Sequence, residues 1–320
     1  MTLYSWSMFR LTAESSTRSV LVLVLLAFSA ACTGARDGTA AVQAGELPAV
    51  GSELFTRLPA SATGVRFENR ITESADLNVF KYRNFYNGGG VAIGDLSGDG
   101  LPEVILVSNQ GGPRLFLNQG KFRFRDITDA SGITTDKDSW STGVTLADVN
   151  GDGLLDIYIC RAGIGGPERR ANQLWINQGL NRDGVPTFKE EAARYGVTDG
   201  GYSTQAVFLD YDHDGDLDLF LIRNSPKPVS SFQLRNMRNV RDPFGGARLY
   251  RNDGGHFTDV SAAAGIHSPE LAFGLGVVVV DVNNDGCRTS TSRMISSSAT
   301  TCTSTRRTAR SRKPQTRRCR

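Results

Sequence analysis

The sequence predicts an all-β fold, a partial β-propeller of about three and a half blades whose hairpins carry acidic loops. Three observations predict it. A nine-residue acidic pattern recurs, strand-like apolar segments flank it, and the composition is rich in glycine, 35 of 320 residues, with few long amphipathic stretches. The fullest copy is DYDHDGDLD, Asp210 to Asp218. The others are DLSGDGLPE from Asp95 to Glu103, DVNGDGLLD from Asp148 to Asp156, and a broken DVNNDG from Asp281.

Each acidic pattern follows an apolar or small-residue strand: GGGVAIGD, STGVTLAD, STQAVFLD and FGLGVVVVD. After the first three comes a second strand, EVILVSN, DIYICRA or DLFLIRN, so strand, tight turn and strand make a hairpin. A third strand ending in an Asn-centred turn comes next, RLFLNQG, QLWINQG or RLYRNDG. A Phe-led segment from Phe124, Phe188 or Phe257 closes each unit. The leading aspartates lie 53, 62 and 71 residues apart, so length varies in insertions such as Ser225 to Gly246. Some four short strands per unit favour propeller blades over a helical solenoid. A further copy of the closing segment, FTRLPASATGV from Phe55, precedes the first blade and is placed to complete a last one.

Crowded carboxylates repel unless a cation sits among them, and Ca²⁺ takes six to eight oxygen ligands. Side chains at positions 1, 3, 5 and 9 and the carbonyl at 7 can converge on one ion, with glycine at 6 allowing the turn. An EF-hand is excluded, because position 12 is Leu106, Ile159 or Leu221 rather than Glu and the flanks are strands. These loops resemble the D-x-D-x-D-G-x-x-D calcium sites of FG-GAP (integrin α-type) propellers. The longer strings YNGGGVAIGD, WSTGVTLADVNGDG and YSTQAVFLDYDHDGDLD resemble the ASPIC/UnbV family over about Phe55 to Gly286. The resemblance implies Ca²⁺ ligands at Asp95, Ser97, Asp99, Leu101 (carbonyl) and Glu103. It implies Asp148, Asn150, Asp152, Leu154 (carbonyl) and Asp156 in the second loop. The third has Asp210, Asp212, Asp214, Asp216 (carbonyl) and Asp218, and the broken fourth has Asp281, Asn283 and Asp285. Ser97 in place of a carboxylate makes the first loop the weakest intact one.

At the N-terminus, Arg10 and Arg18 precede an apolar run from Val20 to Phe28 and then Ser29-Ala30-Ala31-Cys32, the order of an export signal. That run falls short of the roughly 20 residues a spanning helix needs. The end resembles a bacterial lipobox, with Ser29 where Leu is usual; the alternatives are lipidation of Cys32 or ordinary cleavage nearby. The expected organisation is a signal segment over 1–31, a tether over 32–52, the propeller over 53–286 and a tail over 287–320.

The tail has a different composition. Fifteen of its 34 residues are Ser or Thr, ten are Lys or Arg, and none is acidic; without it the chain has 26 basic against 33 acidic residues. One reading is a disordered basic tail. The other is a shifted reading frame after Gly286, because moving the frame by one base decodes the tail as LPDIYVSNDFFERDYLYINEKDGTFKEA, with the missing acid and strands of a blade.

Other residues are expected in plain roles: Cys160, Trp140 and Trp175 in the blade core, and Gly88-Gly89-Gly90 permitting close strand packing. The expected function is an extracytoplasmic, non-catalytic, calcium-binding module for adhesion or ligand binding. Its partner is a protein or carbohydrate at the cell surface, with no nucleic acid and no membrane contact beyond a lipid on Cys32. The alternatives are a Ca²⁺-dependent polysaccharide-active propeller and a nonfunctional truncated product.

Overall fold

The computed structural model describes residues 55–134, 136, 139–225, 240–270, 272–280, 289–294 and 301–304. The chain divides into two compact units, Met1–Leu58 and Pro59–Arg320. Only residues 55–58 of the first are described; all are exposed, Phe55 to 84% and Leu58 to 46%. The signal segment, Cys32 and the tether therefore lie outside the described residues, as do Asp281, Asn283 and Asp285.

The second unit is all-β apart from short helical turns. After α1 (Ala60–Thr63) come three four-stranded antiparallel sheets, each a meander with its strands in chain order. The first holds β1 (Gly90–Gly94), β2 (Glu103–Ser108), β3 (Gly112–Asn118) and β4 (Phe124–Asp126). The second holds β5 (Ser141–Ala147), β6 (Asp156–Arg161), β7 (Gln173–Leu180) and β8 (Pro186–Glu190), followed by α2 (Ala192–Tyr195). The third holds β9 (Ser203–Leu209), β10 (Asp218–Arg223), β11 (Arg248–Asn252) and β12 (Phe257–Asp259). These are the blades of the expected partial propeller, and each hairpin turn between the first two strands is one acidic loop.

Burial follows from stacking. Every residue of β6 and β10 is buried, because these strands have a sheet on each side, and their near-continuous apolar sequences DIYICR and DLFLIR suit that. In β2 the alternate residues Val104 and Leu106 are only half-buried. Three apolar clusters fill the spaces between sheets. Ile105, Val107 and Leu115 meet Val144, Ile157 and Ile159; Tyr158, Cys160 and Leu174 meet Ala206, Leu219 and Leu221; Phe220, Ile222 and Leu249 meet Val277 and Val279. Cys160 and Trp175 sit in these cores, as expected. Trp140 packs at one sheet end with Tyr82 and Phe85. Close approach explains the glycine run: a Cβ on Gly89 would lie 1.8 Å from the Val107 carbonyl oxygen, and one on Gly90 would lie 3.0 Å from Gly143 Cα.

A fourth sheet of three described strands follows: β13 (Gly274–Val280), β14 (Thr289–Met294) and β15 (Thr301–Ser304). The tail, for which one reading was a disordered basic segment, thus supplies two paired strands. β14 begins three residues after Gly286, the spacing at which β6 follows Gly153 and β10 follows Gly215. Pairing uses backbone N–H and C=O groups, which the edge of β13 offers whatever side chains arrive, so a pattern of side chains was the wrong signal to seek.

Candidate metal loops

All three described loops are built around carboxylates at positions 1, 5 and 9. The position 1 aspartate closes the turn: Asp148 accepts from the N–H of Gly151 and of Gly153, both at 2.8 Å, and Asp95 accepts from Gly98 at 2.7 Å and Gly100 at 2.9 Å. In the third loop Asp210 accepts from His213 at 2.6 Å. Position 5 holds the peptide at position 7: Asp99, Asp152 and Asp214 accept from the N–H of Leu101, Leu154 and Asp216 at 2.8, 2.8 and 2.9 Å.

The position 9 carboxylate is buried in every loop, with Glu103, Asp156 and Asp218 at most 1% exposed. Asp156 accepts from the N–H of Val149 at 3.0 Å and of Asn177 at 2.8 Å; Asp218 accepts from Tyr211 at 2.6 Å and Asn252 at 2.9 Å. Burial outweighs these hydrogen bonds, raising Asp156 to about 6 and Asp218 to about 7; Glu103 is raised for the same reason. A bound cation would favour their charged forms.

The structure gathers the expected ligands in one loop above the others. Among the described residues, oxygens of Asp210, Asp212 and Asp218 lie within 4.8 Å of one another. Asp212 has a buried Oδ1 with no hydrogen-bond partner, and burial, then Asp214, raises its carboxyl above the usual range. Such an orphaned, acceptor-only oxygen fits a hard cation. Ser97, at the same position of the first loop, also has an orphaned hydroxyl. In the second loop Asn150 instead donates to Asp152 at 2.9 Å, so two of its expected ligands satisfy each other.

Three asparagines belong to this architecture although they stood in the sequence only as turn residues. Asn177 donates to the carbonyl of Leu96 at 3.0 Å and of Leu155 at 3.2 Å; Asn252 donates to Val149 at 3.3 Å and Leu217 at 3.2 Å. Each thereby joins the loop of its own sheet to that of the preceding sheet. Asn118, in the first sheet, donates to Pro102 at 2.8 Å within its own loop. Their recurrence at the end of each third strand was the available signal.

Fold and loops together define a run of propeller blades whose hairpins converge acidic side chains. Comparison with known proteins agrees: residues 75–159 match the FG-GAP-like repeat model. The chain is 30% identical to cartilage acidic protein 1 of Xenopus tropicalis over 175 residues, 53% of this chain and 25% of that protein. It is 29% identical to the mouse protein and 28% to the human one, each over 214 residues, 67% of this chain and 29% and 28% of those proteins. The chain thus contains an FG-GAP-like repeat and is similar over part of its length to cartilage acidic protein 1. It spans between a quarter and a third of the length of these relatives.

Proposed function

We propose that the chain is an extracytoplasmic, calcium-binding propeller module that presents a surface to a protein or carbohydrate ligand and performs no catalysis. The observation that supports the calcium reading best is the third loop, where three carboxylates converge and one oxygen of Asp212 is buried without a partner. Asp210, Asp212, Asp214 and Asp218 would hold the ion with the Asp216 carbonyl. The ion would cancel their mutual repulsion and lock the hairpin. The first and second loops are weaker sites of the same type. Ligand choice belongs to the loops at the blade ends, which vary in length while the sheets do not.

The export-type N-terminus supports a location outside the cytoplasm, where free calcium is abundant. No helix among the described residues is long and apolar enough to cross a membrane. Membrane attachment would rest on a lipid at Cys32.

Thermal unfolding of the full chain with millimolar Ca²⁺ and with chelator tests the reading. Binding to the folded state raises the melting temperature, by RT ln(1 + [L]/Kd) in free energy. Equal melting temperatures in the two conditions would count against it.

A further inference from the structure

Asparagine followed by glycine is a pair at which a chain readily attacks itself, because glycine has no Cβ to shield its backbone nitrogen from the preceding side chain. The sequence holds two such pairs, Asn87-Gly88 and Asn150-Gly151, and the second occupies positions 3 and 4 of an acidic loop. Asn150 is exposed, and a Cβ added to Gly151 would meet nothing within 4 Å. Neither the amide nor the peptide beside it is covered.

The loop also assembles the groups that such a reaction needs. Asn150 Oδ1 accepts from the N–H of Asp152 at 3.1 Å, which folds the side chain back over the Gly151 peptide. That N–H stands where negative charge develops on Oδ1 when a nucleophile adds to Cγ. The nucleophile is the Gly151 nitrogen. Its N–H donates to Asp148 Oδ1 at 2.8 Å, a carboxylate placed to take the proton.

We propose that Asn150-Gly151 is a site of spontaneous deamidation, which sets a carboxylate at position 3 of the second loop. The Gly151 nitrogen loses its proton and bonds to Asn150 Cγ; the Cγ–Nδ2 bond breaks and ammonia leaves, closing a succinimide ring. Water then opens the ring. Addition at Cγ breaks the new N–Cγ bond and yields ordinary aspartate. Addition at the backbone carbonyl carbon of residue 150 yields isoaspartate, with the chain running through the former side chain. Overall an amide and water become a carboxylate and ammonium, with no oxidation or reduction.

The consequence for the loop rests on the calcium reading proposed above. With aspartate at position 3, the second loop acquires the carboxylate set of the third, where Asp212 holds that position. At present the Asn150 amide satisfies Asp152 by donating to it at 2.9 Å. A carboxylate in its place would repel Asp152, and a cation between the two removes that repulsion. The isoaspartate product carries the same charge on a backbone longer by one atom, which disturbs the turn that Asp148 closes through Gly151 and Gly153. A newly made chain and an aged one therefore differ in their second loop.

Peptide mass spectrometry of the full chain tests the site. One sample is held folded in warm, near-neutral buffer with chelator for several days, beside a sample unfolded in guanidinium. The peptide containing Asn150 should gain one mass unit, as nitrogen is exchanged for oxygen, at least as fast in the folded chain as in the unfolded one. Part of that peptide should become a substrate for protein isoaspartyl methyltransferase. Asn150→Gln, whose longer side chain closes a ring less readily, should keep its mass. Calorimetric titration of Asn150→Asp should show several-fold tighter Ca²⁺ binding at the second loop than the freshly made native chain. A peptide that keeps its mass in the folded chain while the unfolded one converts would overturn the site, and equal affinity of the native chain and Asn150→Asp would overturn its consequence. A mass gain in a chain that binds no calcium would uphold the site and sink the calcium reading, so the two failures are told apart.

Discussion

Asn177 in the second sheet donates its side-chain amide to the carbonyl of Leu96, 3.0 Å away in the acidic loop of the first. The same side chain donates to Leu155, and its backbone N–H donates to Asp156. One residue thus couples loop shape to the stacking of sheets. Asn177→Ala removes two amide bonds and leaves a buried carbonyl unpaired, an expected loss of about 2 kcal/mol. Asn118→Ala, which breaks no contact between sheets, should cost less. Urea unfolding of both variants checks the order, and equal losses would contradict the coupling.

His213 occupies position 4 of the third loop with φ 64, where the other two loops have Gly98 and Gly151 at 77 and 73. A left-handed backbone costs a side-chain-bearing residue roughly 1–2 kcal/mol, partly offset by the entropy glycine loses on folding. His213→Gly is expected to stabilise the chain by about 0.5 kcal/mol without weakening calcium binding. A destabilised variant in thermal unfolding would show that the imidazole makes a contact of its own.

Burial lifts Asp218 from 3.8 to about 7 and Asp156 from 3.8 to about 6. In the calcium-free chain the folded state therefore holds more protons than the unfolded state between these values, and stability falls as pH rises through the window. Calcium reverses the sign, because binding requires the carboxylates to release those protons. Melting temperature in chelator should decline from pH 5 to 7, and calcium affinity should rise over the same interval. A flat affinity profile would separate these carboxylates from the metal.

Much of this was legible in the sequence because the units repeat. Aligned copies exposed the strand order, the hairpin loops and the position of each acid, and the structure realises the three complete blades. Side-chain partners between sheets were not legible. Arg223, buried at the end of β10, pairs with Asp199 at 3.0 Å, and Arg161 at the end of β6 pairs with Asp136 at 2.9 Å. These partners lie in loops of irregular length, where no period marks them. Nor did spacing show that, among the described loops, the third alone converges three carboxylates, since turn hydrogen bonds draw the acids of the second loop elsewhere.

The fourth blade raises a question about the gene. β14 begins at the position where the other loops place Glu103, Asp156 and Asp218, yet the residue there is Thr289. Shifting the frame after Gly286 puts Asp at that position and the apolar strand IYV behind it. Sequencing across the Gly286 codon is expected to reveal a lost or gained base relative to the ancestral gene. An unbroken frame shared with intact relatives would refute the shift.

The central claim is that convergent carboxylates of the third loop hold calcium. Calorimetric titration of the full chain and of Asp212→Asn measures it directly. The native chain should show saturable binding, and the variant should lose its tightest site while keeping the fold, because Asn preserves shape and removes charge. Identical isotherms for the two proteins, or no heat from the native chain at millimolar Ca²⁺, would contradict the claim.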